Sequence, residues 1–277
     1  SGSCMCQLKT RETGDNTKTI NMEQSIGFIG GGRITRILLQ AFRNKNVRFK
    51  DIVVTDPNAE ALEKLKTCYP SYRIADAGTA AAQDIVFISL HPPVIMDTLE
   101  SIKGNINSKT TVISLAPKIT LAKMAMKLGH VTRLARMIPN ATSFINEGFN
   151  PVCFAQDFPE LDKKITIEIL GNLGKTFEVQ EKKLESYAII SAMLPTYFWF
   201  QWQELAAIGE KIGLSETESR ESINQTMLAS LDLMFKSGLK PEEVIDLIPV
   251  KPIGENELQI REIYNTKLIG LYEKIKP

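Results

Sequence analysis

The sequence predicts an α/β fold: a doubly wound, largely parallel sheet wrapped by crossover helices, followed by an all-α segment. Three observations carry that expectation. From Ser25 onward, short runs rich in Ile and Val alternate with stretches of helical period, the pattern of strands buried on both faces. The first such run leads directly into Gly30, Gly31 and Gly32 and then into a helical pattern. After Gln180 the strand signals stop, and apolar residues recur only at helical spacing.

Ser25 to Gly30 (SIGFIG) is the first strand, and Arg33 to Asn44 is a helix with Ile34, Ile37, Leu38 and Ala41 on one face. Asp51 to Thr55 (DIVVT) gives the second strand and Asn58 to Thr67 the second helix. Arg73 to Ala75 reads as a short strand and Gly78 to Gln83 as a short helix, before the strongly apolar strand Asp84 to Leu90 (DIVFISL). Pro92 sits at a helix start, where its missing amide leaves no bond unmade, and leads into Val94 to Ile102. Thr110 to Leu115, Val131 to Arg136 and Pro151 to Gln156 add three strands. A helix from Leu121 to Leu128, stopped by Gly129, lies between the first two. Phe158 to Asn172 is helical and ends before Gly174, and Lys175 to Gln180 closes the strand series.

Beyond it, Leu184 to Ile212 reads as a helix that is apolar almost all round near Tyr197, Phe198, Trp199, Phe200 and Trp202. Ser215 and Glu218 form a capping box before a second long helix ending at Gly238, and Pro241 with Glu242 and Glu243 opens a third. The expected plan is a disordered tail over residues 1–22, a doubly wound domain over 23–180 and a helical domain over 181–277. Excess apolar surface in the last predicts a homodimer. Ser1-Gly2-Ser3 reads as a cloning remnant, and Cys4 and Cys6 as tail thiols.

Composition narrows the function classes. The 277 residues carry 33 Lys and Arg against 32 Asp and Glu, a net charge of +1, so no global field attracts nucleic acid or an anionic membrane. No apolar run reaches the ~18 residues that a membrane-spanning helix needs. Four scattered cysteines do not make a disulfide framework, and two histidines far apart make no metal cluster, so no metal and a cytoplasmic setting are expected.

The sharpest chemical feature is Gly27-Phe28-Ile29-Gly30-Gly31-Gly32-Arg33-Ile34-Thr35. Gly30 permits a tight turn after the strand, and Gly32 lets the amides of a helix N-terminus approach a pyrophosphate; the third fingerprint position is Thr35. The reading is a Rossmann-type dinucleotide site, with a purely structural turn as the alternative. Asp56 lies 26 residues after Gly30, where a carboxylate accepts ribose hydroxyls, repels a 2′-phosphate and favours NAD. Asp56-Pro57-Asn58 is equally the chemistry of a turn and helix cap. Arg33 and Lys50 could receive a phosphate, so NADH and NADPH both stay open.

At this point the chain resembles the pyrroline-5-carboxylate reductase family from Ser25 onward. The matching stretches are Gly27 to Thr35, Asp84 to Pro92, Thr111 to Leu121, and Arg133 to Gly148, whose Pro139-Asn140 and Glu147-Gly148 resemble the family's M-P-N-T-P…G-E-G. The resemblance implies an NAD(P)H-binding domain, a helical dimerisation domain, and reduction of a small cyclic imine to a secondary amine. It implies that Gly30, Gly31, Gly32, Arg33 and Ile34 hold the pyrophosphate, that Ser89, Leu90 and Pro92 line the cofactor, and that Ala116 and Asn140 face the nicotinamide. His91 replaces the Lys of the family's V-K-P. Ser191, Thr196 and Tyr197 are the hydroxyl candidates for proton delivery.

Two stretches depart from the family. Its S-G-S-G-P-A-Y loop aligns with Ser191-Ala192-Met193-Leu194-Pro195-Thr196-Tyr197, and its T-S-P-G-G-T-T with Pro249-Val250-Lys251-Pro252-Ile253-Gly254-Glu255. Donors for a substrate carboxylate are lost in both, so the expected activity is NAD(P)H-dependent reduction of a C=N or C=O bond in a small substrate other than pyrroline-5-carboxylate. Loss of both loops also suits a catalytically silent dinucleotide-binding sensor or scaffold dimer. A β-hydroxyacid-type dehydrogenase would need a lysine in a G-x-x-x-K context, which Lys182 and Lys183 lack.

Overall fold

A computed structural model describes residues 18–277; Ser1-Gly2-Ser3, Cys4 and Cys6 lie outside the described residues. Part of the expected tail is ordered. Ile20–Asn21 (β1) pairs in parallel with Val47–Arg48 (β3), with Ile20 opposite Val47, as a two-stranded sheet of its own.

The main sheet is built as the alternating pattern predicts. Ile26–Ile29 (β2), Ile52–Thr55 (β4), Arg73–Ile74 (β5), Ile85–Ile88 (β6), Thr111–Ser114 (β7), Leu134–Met137 (β8), Gly148–Phe154 (β9) and Gly174–Glu178 (β10) make eight strands in the order β10-β9-β8-β7-β6-β2-β4-β5. The helices between them are Arg33–Asn44 (α1), Ala59–Cys68 (α2), Ala77–Ala81 (α3), Pro92–Ile102 (α4), Leu121–Lys127 (α5) and Glu160–Gly171 (α6). From β2 the chain runs out through β4 to β5 on one side, then returns to lay β6 on the other. That reversal puts a crevice beyond the carboxyl end of β2, the place where doubly wound sheets bind their ligands.

Alternation along each strand divides the core between the two faces of the sheet. Phe28, Phe87, Val54 and Ile113 pack with Leu38 and Phe42 of α1 and Leu170 of α6, and Phe28 and Phe87 stack with ring centroids 5.0 Å apart. Ile29, Val86, Ile88 and Val112 point the other way, onto Ile95 and Leu99 of α4 and Met124 of α5. All these side chains are buried.

Two departures from the expected pattern have clear causes. Every neighbouring pair in the sheet is parallel except β8 and β9, which are antiparallel. Between them lies only a short connection holding a 3-10 turn at Ala141–Ile145, too little chain for a crossover helix. The helix expected over Leu184 to Ile212 is also interrupted. It consists of Leu184–Tyr187 (α7), a π-helical turn at Ala188–Ala192, and Leu194–Lys211 (α8). Pro195 explains the break: it offers no N–H, and its ring collides with the carbonyl one turn back in a continuous α-helix.

The described residues divide into two compact units, one comprising residues 18–192 with 275–277 and the other residues 193–274. This division falls beyond the 180/181 boundary that the strand signals suggest, because Leu184 and Ala188 pack with Ile138 and Cys153 in the first unit. The second unit holds α8, Glu216–Lys236 (α9), Pro241–Asp246 (α10) and most of Glu257–Ile275 (α11). The capping box forms as expected: the Ser215 hydroxyl accepts from Glu218 N at 3.2 Å, and the Glu218 carboxylate from Ser215 N at 2.8 Å. No described helix is long and apolar enough to cross a membrane.

Candidate dinucleotide and reduction site

The crevice begins at the glycine turn. Gly30 has φ +111°, and a Cβ there would stand 2.3 Å from the Ser89 carbonyl oxygen, so only glycine lets β2 turn this close to the end of β6. Thr35 is fully buried and its hydroxyl donates to the Gly30 carbonyl at 2.6 Å, which fixes the turn from the helix side. Gly31 lies against α2, its Cβ position 2.9 Å from a Leu62 methyl. Gly32 is the N-cap of α1 and a Cβ there would meet nothing within 4 Å.

The helix N-terminus is left bare. No side chain caps α1 and its first turn contains no acidic residue, so the free amides after Gly32 and the positive end of the helix dipole face open space. Arg33 is exposed beside them and Ile34 is half-buried. Ser89, immediately after β6, has a buried hydroxyl oxygen without a hydrogen-bond partner in the protein. An uncapped helix start, a glycine with room above it and an orphaned hydroxyl are the features a dinucleotide pyrophosphate would satisfy.

Asp56 follows β4 and is half-buried. Its Oδ2 accepts from Gly31 N at 2.8 Å and its Oδ1 from Asn58 N at 2.8 Å. The helix cap itself is Asn58, whose side chain accepts from Ala61 N. Lys50 precedes β4 and so stands at the opposite end of the strand from the crevice. There it lines a separate cleft of about 590 Å³ with Arg43, Arg48 and Tyr69. Leu90 is half-buried, His91 is the exposed N-cap of α4, and Pro92 opens that helix.

Across the crevice, Ala116 is buried two residues beyond β7. Asn140 caps the 3-10 turn, and its amide orientation is fixed because Oδ1 accepts from Thr142 N at 3.1 Å, an atom that can only donate. Nδ2 therefore faces Ser191 and donates to its hydroxyl oxygen at 3.1 Å. The structure thus brings together Asn140 and Ser191, one expected at the nicotinamide and the other as a hydroxyl proton donor. Thr196 and Tyr197 lie in the second unit. The Thr196 hydroxyl donates to the Met193 carbonyl at 2.6 Å, and Tyr197 packs edge-on to Tyr264, with burial as the first cause raising its hydroxyl pKa.

Sequence reasoning missed the cluster beneath Ala116. Arg136 is fully buried on β8, donates to Glu181 at 3.0 Å and to the buried Glu185, and reaches the Ala116 carbonyl at 3.4 Å. The same carboxylates accept from the backbone beyond β7, Glu185 from Lys118 N at 3.0 Å and Glu181 from Leu121 N at 2.7 Å. Lys118 sits at φ +73°, a left-handed conformation that these bonds hold in place. Cys153 adjoins the cluster. Burial first, and then the Glu181 charge, push its thiol up to about 12, so it is not a nucleophile. The i, i+4 spacing of Glu181 and Glu185 is the one sequence signal that points here.

Comparison with known proteins agrees with this geometry. The family described as NADP oxidoreductase, coenzyme F420-dependent, matches residues 25–118, the stretch from β2 to the loop after β7. Pyrroline-5-carboxylate reductase of Corynebacterium melassecola is 23% identical over 252 residues, 90% of this chain and 93% of that protein. The fold matches the crystal structure of Plasmodium falciparum pyrroline carboxylate reductase with NADP bound, at a TM-score of 0.71 and 21% identity, covering 91% of this chain and 95% of that one. It also matches 1-pyrroline-5-carboxylate reductase of Streptococcus pyogenes, at a TM-score of 0.72 and 20% identity over 92% and 98% of the two chains. The chain resembles these reductases along nearly its whole length, and the Rossmann-type sheet with carboxy-terminal helices is theirs.

Proposed function

We propose that this chain is an NAD(P)H-dependent oxidoreductase which reduces a C=N or C=O bond of a small substrate, in the manner of the pyrroline-5-carboxylate reductases it resembles. The observation that carries the reading is the bare N-terminus of α1 behind Gly30 and Gly32, at the switch point of the sheet. Gly31, Arg33 and Ile34 complete the pyrophosphate cradle, Ser89, Leu90, His91 and Pro92 form its wall, and Ala116 and Asn140 face the nicotinamide end. When bound, NAD(P)H supplies the hydride.

The protein's own chemistry is then positioning and proton supply. Because Asn140 donates to the Ser191 oxygen, the Ser191 hydroxyl keeps its own proton free to donate elsewhere. Ser191 is thus the group that passes a proton to the reduced nitrogen or oxygen and recovers it from solvent. Thr196 gives its proton to Met193 and is the weaker candidate, and Tyr197 is held by its packing.

The substrate is less anionic than pyrroline-5-carboxylate. Where the resemblance places glycines and hydroxyls to receive a carboxylate, this chain has Ala192, Met193 and Leu194, and later Val250 and Ile253. A carboxylate loses about 1.5–3 kcal/mol for each charged hydrogen bond that is not made. The same reading makes the enzyme a cytoplasmic homodimer through its helical segment.

The test is oxidation of NADH and NADPH by the purified chain with pyrroline-5-carboxylate, neutral cyclic imines and keto acids, alongside a fluorescence titration of cofactor binding. Turnover of a neutral imine above pyrroline-5-carboxylate is expected. Ser191→Ala should lower kcat about a hundredfold and leave cofactor affinity unchanged. Tight cofactor binding without turnover of any of these compounds would favour the silent sensor or scaffold instead.

A further inference from the structure

The carboxylate of Asp56 has acceptor capacity beyond what the turn uses. The helix cap next to it is Asn58, and the amides of Gly31 and Asn58 each bond a different oxygen of the carboxylate, a pair of acceptors that a neutral Asn, with its single oxygen, does not supply. Among the described residues no ion pair involves Asp56. It therefore holds a negative charge half-buried against the glycine turn.

An ionised carboxylate offers about four lone-pair sites, and the two backbone amides use two. The two left over suit a pair of donors such as the 2′ and 3′ hydroxyls of a ribose. A 2′-phosphate brings acceptors and about 1.5–2 negative charges instead, with no proton to give. The surroundings do not offset that repulsion. The first turn of α2 adds Glu60, already paired with Lys64 at 2.8 Å. Lys50 stands at the far end of β4, about 20 Å away at the rise of an extended strand. Arg33 belongs to the first turn of α1, beside the pyrophosphate amides.

We propose that Asp56 makes this chain select NADH and reject NADPH, a specificity that rests on the dinucleotide reading above.

The experiment is a fluorescence titration of the full chain with NADH and with NADPH, repeated at low and high salt. NADH should bind at least about tenfold more tightly, and the gap should narrow as salt screens the carboxylate. Asp56→Asn removes the charge and keeps an acceptor for one of the two turn amides, so, with thermal melting to show that the turn still folds, it should bring the two affinities within about threefold by tightening NADPH. Arg33→Gln should weaken both cofactors alike. Equal or tighter binding of NADPH by the unaltered chain overturns the proposal. So does an affinity ratio that Asp56→Asn leaves unchanged, or a loss of NADPH alone in Arg33→Gln. Should neither cofactor bind, the dinucleotide reading falls first; should both bind without preference, only the role of Asp56 is lost.

Discussion

Gly30 and Gly32 are two residues apart in one turn, yet the structure requires glycine at only one of them. Gly30 has a left-handed φ and no room for a Cβ beside the Ser89 carbonyl, so Gly30→Ala should cost about 2 kcal/mol or more of stability. Gly32 has φ −81°, and a Cβ there would meet nothing within 4 Å, so the backbone has room for a side chain. On the proposed dinucleotide reading, that space is where a pyrophosphate would meet the first amides of α1. Gly32→Glu should therefore melt within about 1 °C of the unaltered protein and bind dinucleotide at least about a hundredfold more weakly, since it brings bulk and like charge to the anion site. Thermal melting and cofactor fluorescence on the same sample separate the two effects. Retained affinity in Gly32→Glu would remove the site from this turn, because a folding defect could not be the cause.

Between elements, the Arg136 cluster joins β8, the loop after β7 and the segment that leads through α7 to Ser191. Arg136→Met would leave Glu185, 1% exposed, facing the Lys118 amide without its cation, and should destabilise the protein by about 3–5 kcal/mol. The pair Arg136→Met with Glu185→Leu should recover much of that loss, as apolar groups replace a buried ion pair. Urea unfolding measures both; a cost under about 1 kcal/mol for the single change would mean that water already reaches the cluster. This cluster also marks where the sequence stops being legible. Strands such as Ile85–Ile88 announce themselves because both faces are covered and every side chain is apolar. Arg136 sits in an equally buried strand, but its charge is neutralised by carboxylates 45 and 49 positions away, and no local pattern displays that pairing. β1 and β3 are two residues each and too short to show a period. The β8 to β9 reversal depends on the length of the connection, and the π-turn before Pro195 on one proline. The glycine turn and Asn140 could be found from sequence because their chemistry is local; the bond from Asn140 to Ser191 spans 51 positions and needed the fold.

At the scale of the whole molecule, the two units differ in what they bury. Residues 18–192 enclose apolar clusters on both faces of a sheet, whereas over residues 193–274 only Gly209 and Ser219 are buried. Helices α8, α9 and α11 leave Trp199, Phe200, Phe235 and Leu258 at 51%, 65%, 77% and 80% exposure. Helices that bury so little gain too little to offset the ordering of their backbones, so this apolar surface requires a cover. On the homodimer proposed above, a second copy of the chain would supply that cover, because self-association presents the same apolar helices to one another around a two-fold axis. Light scattering at micromolar concentration should then give about 62 kDa, twice the 30.9 kDa of one chain. Trp199 tests the assignment best: it lies on the stretch of α8 that is apolar almost all round and is half-exposed within its own chain, so a charge there would be desolvated only by association. Trp199→Glu should yield a 30.9 kDa species or insoluble protein. A soluble dimer in that variant would move the interface off α8, and a monomeric unaltered chain would mean that a different partner covers these helices.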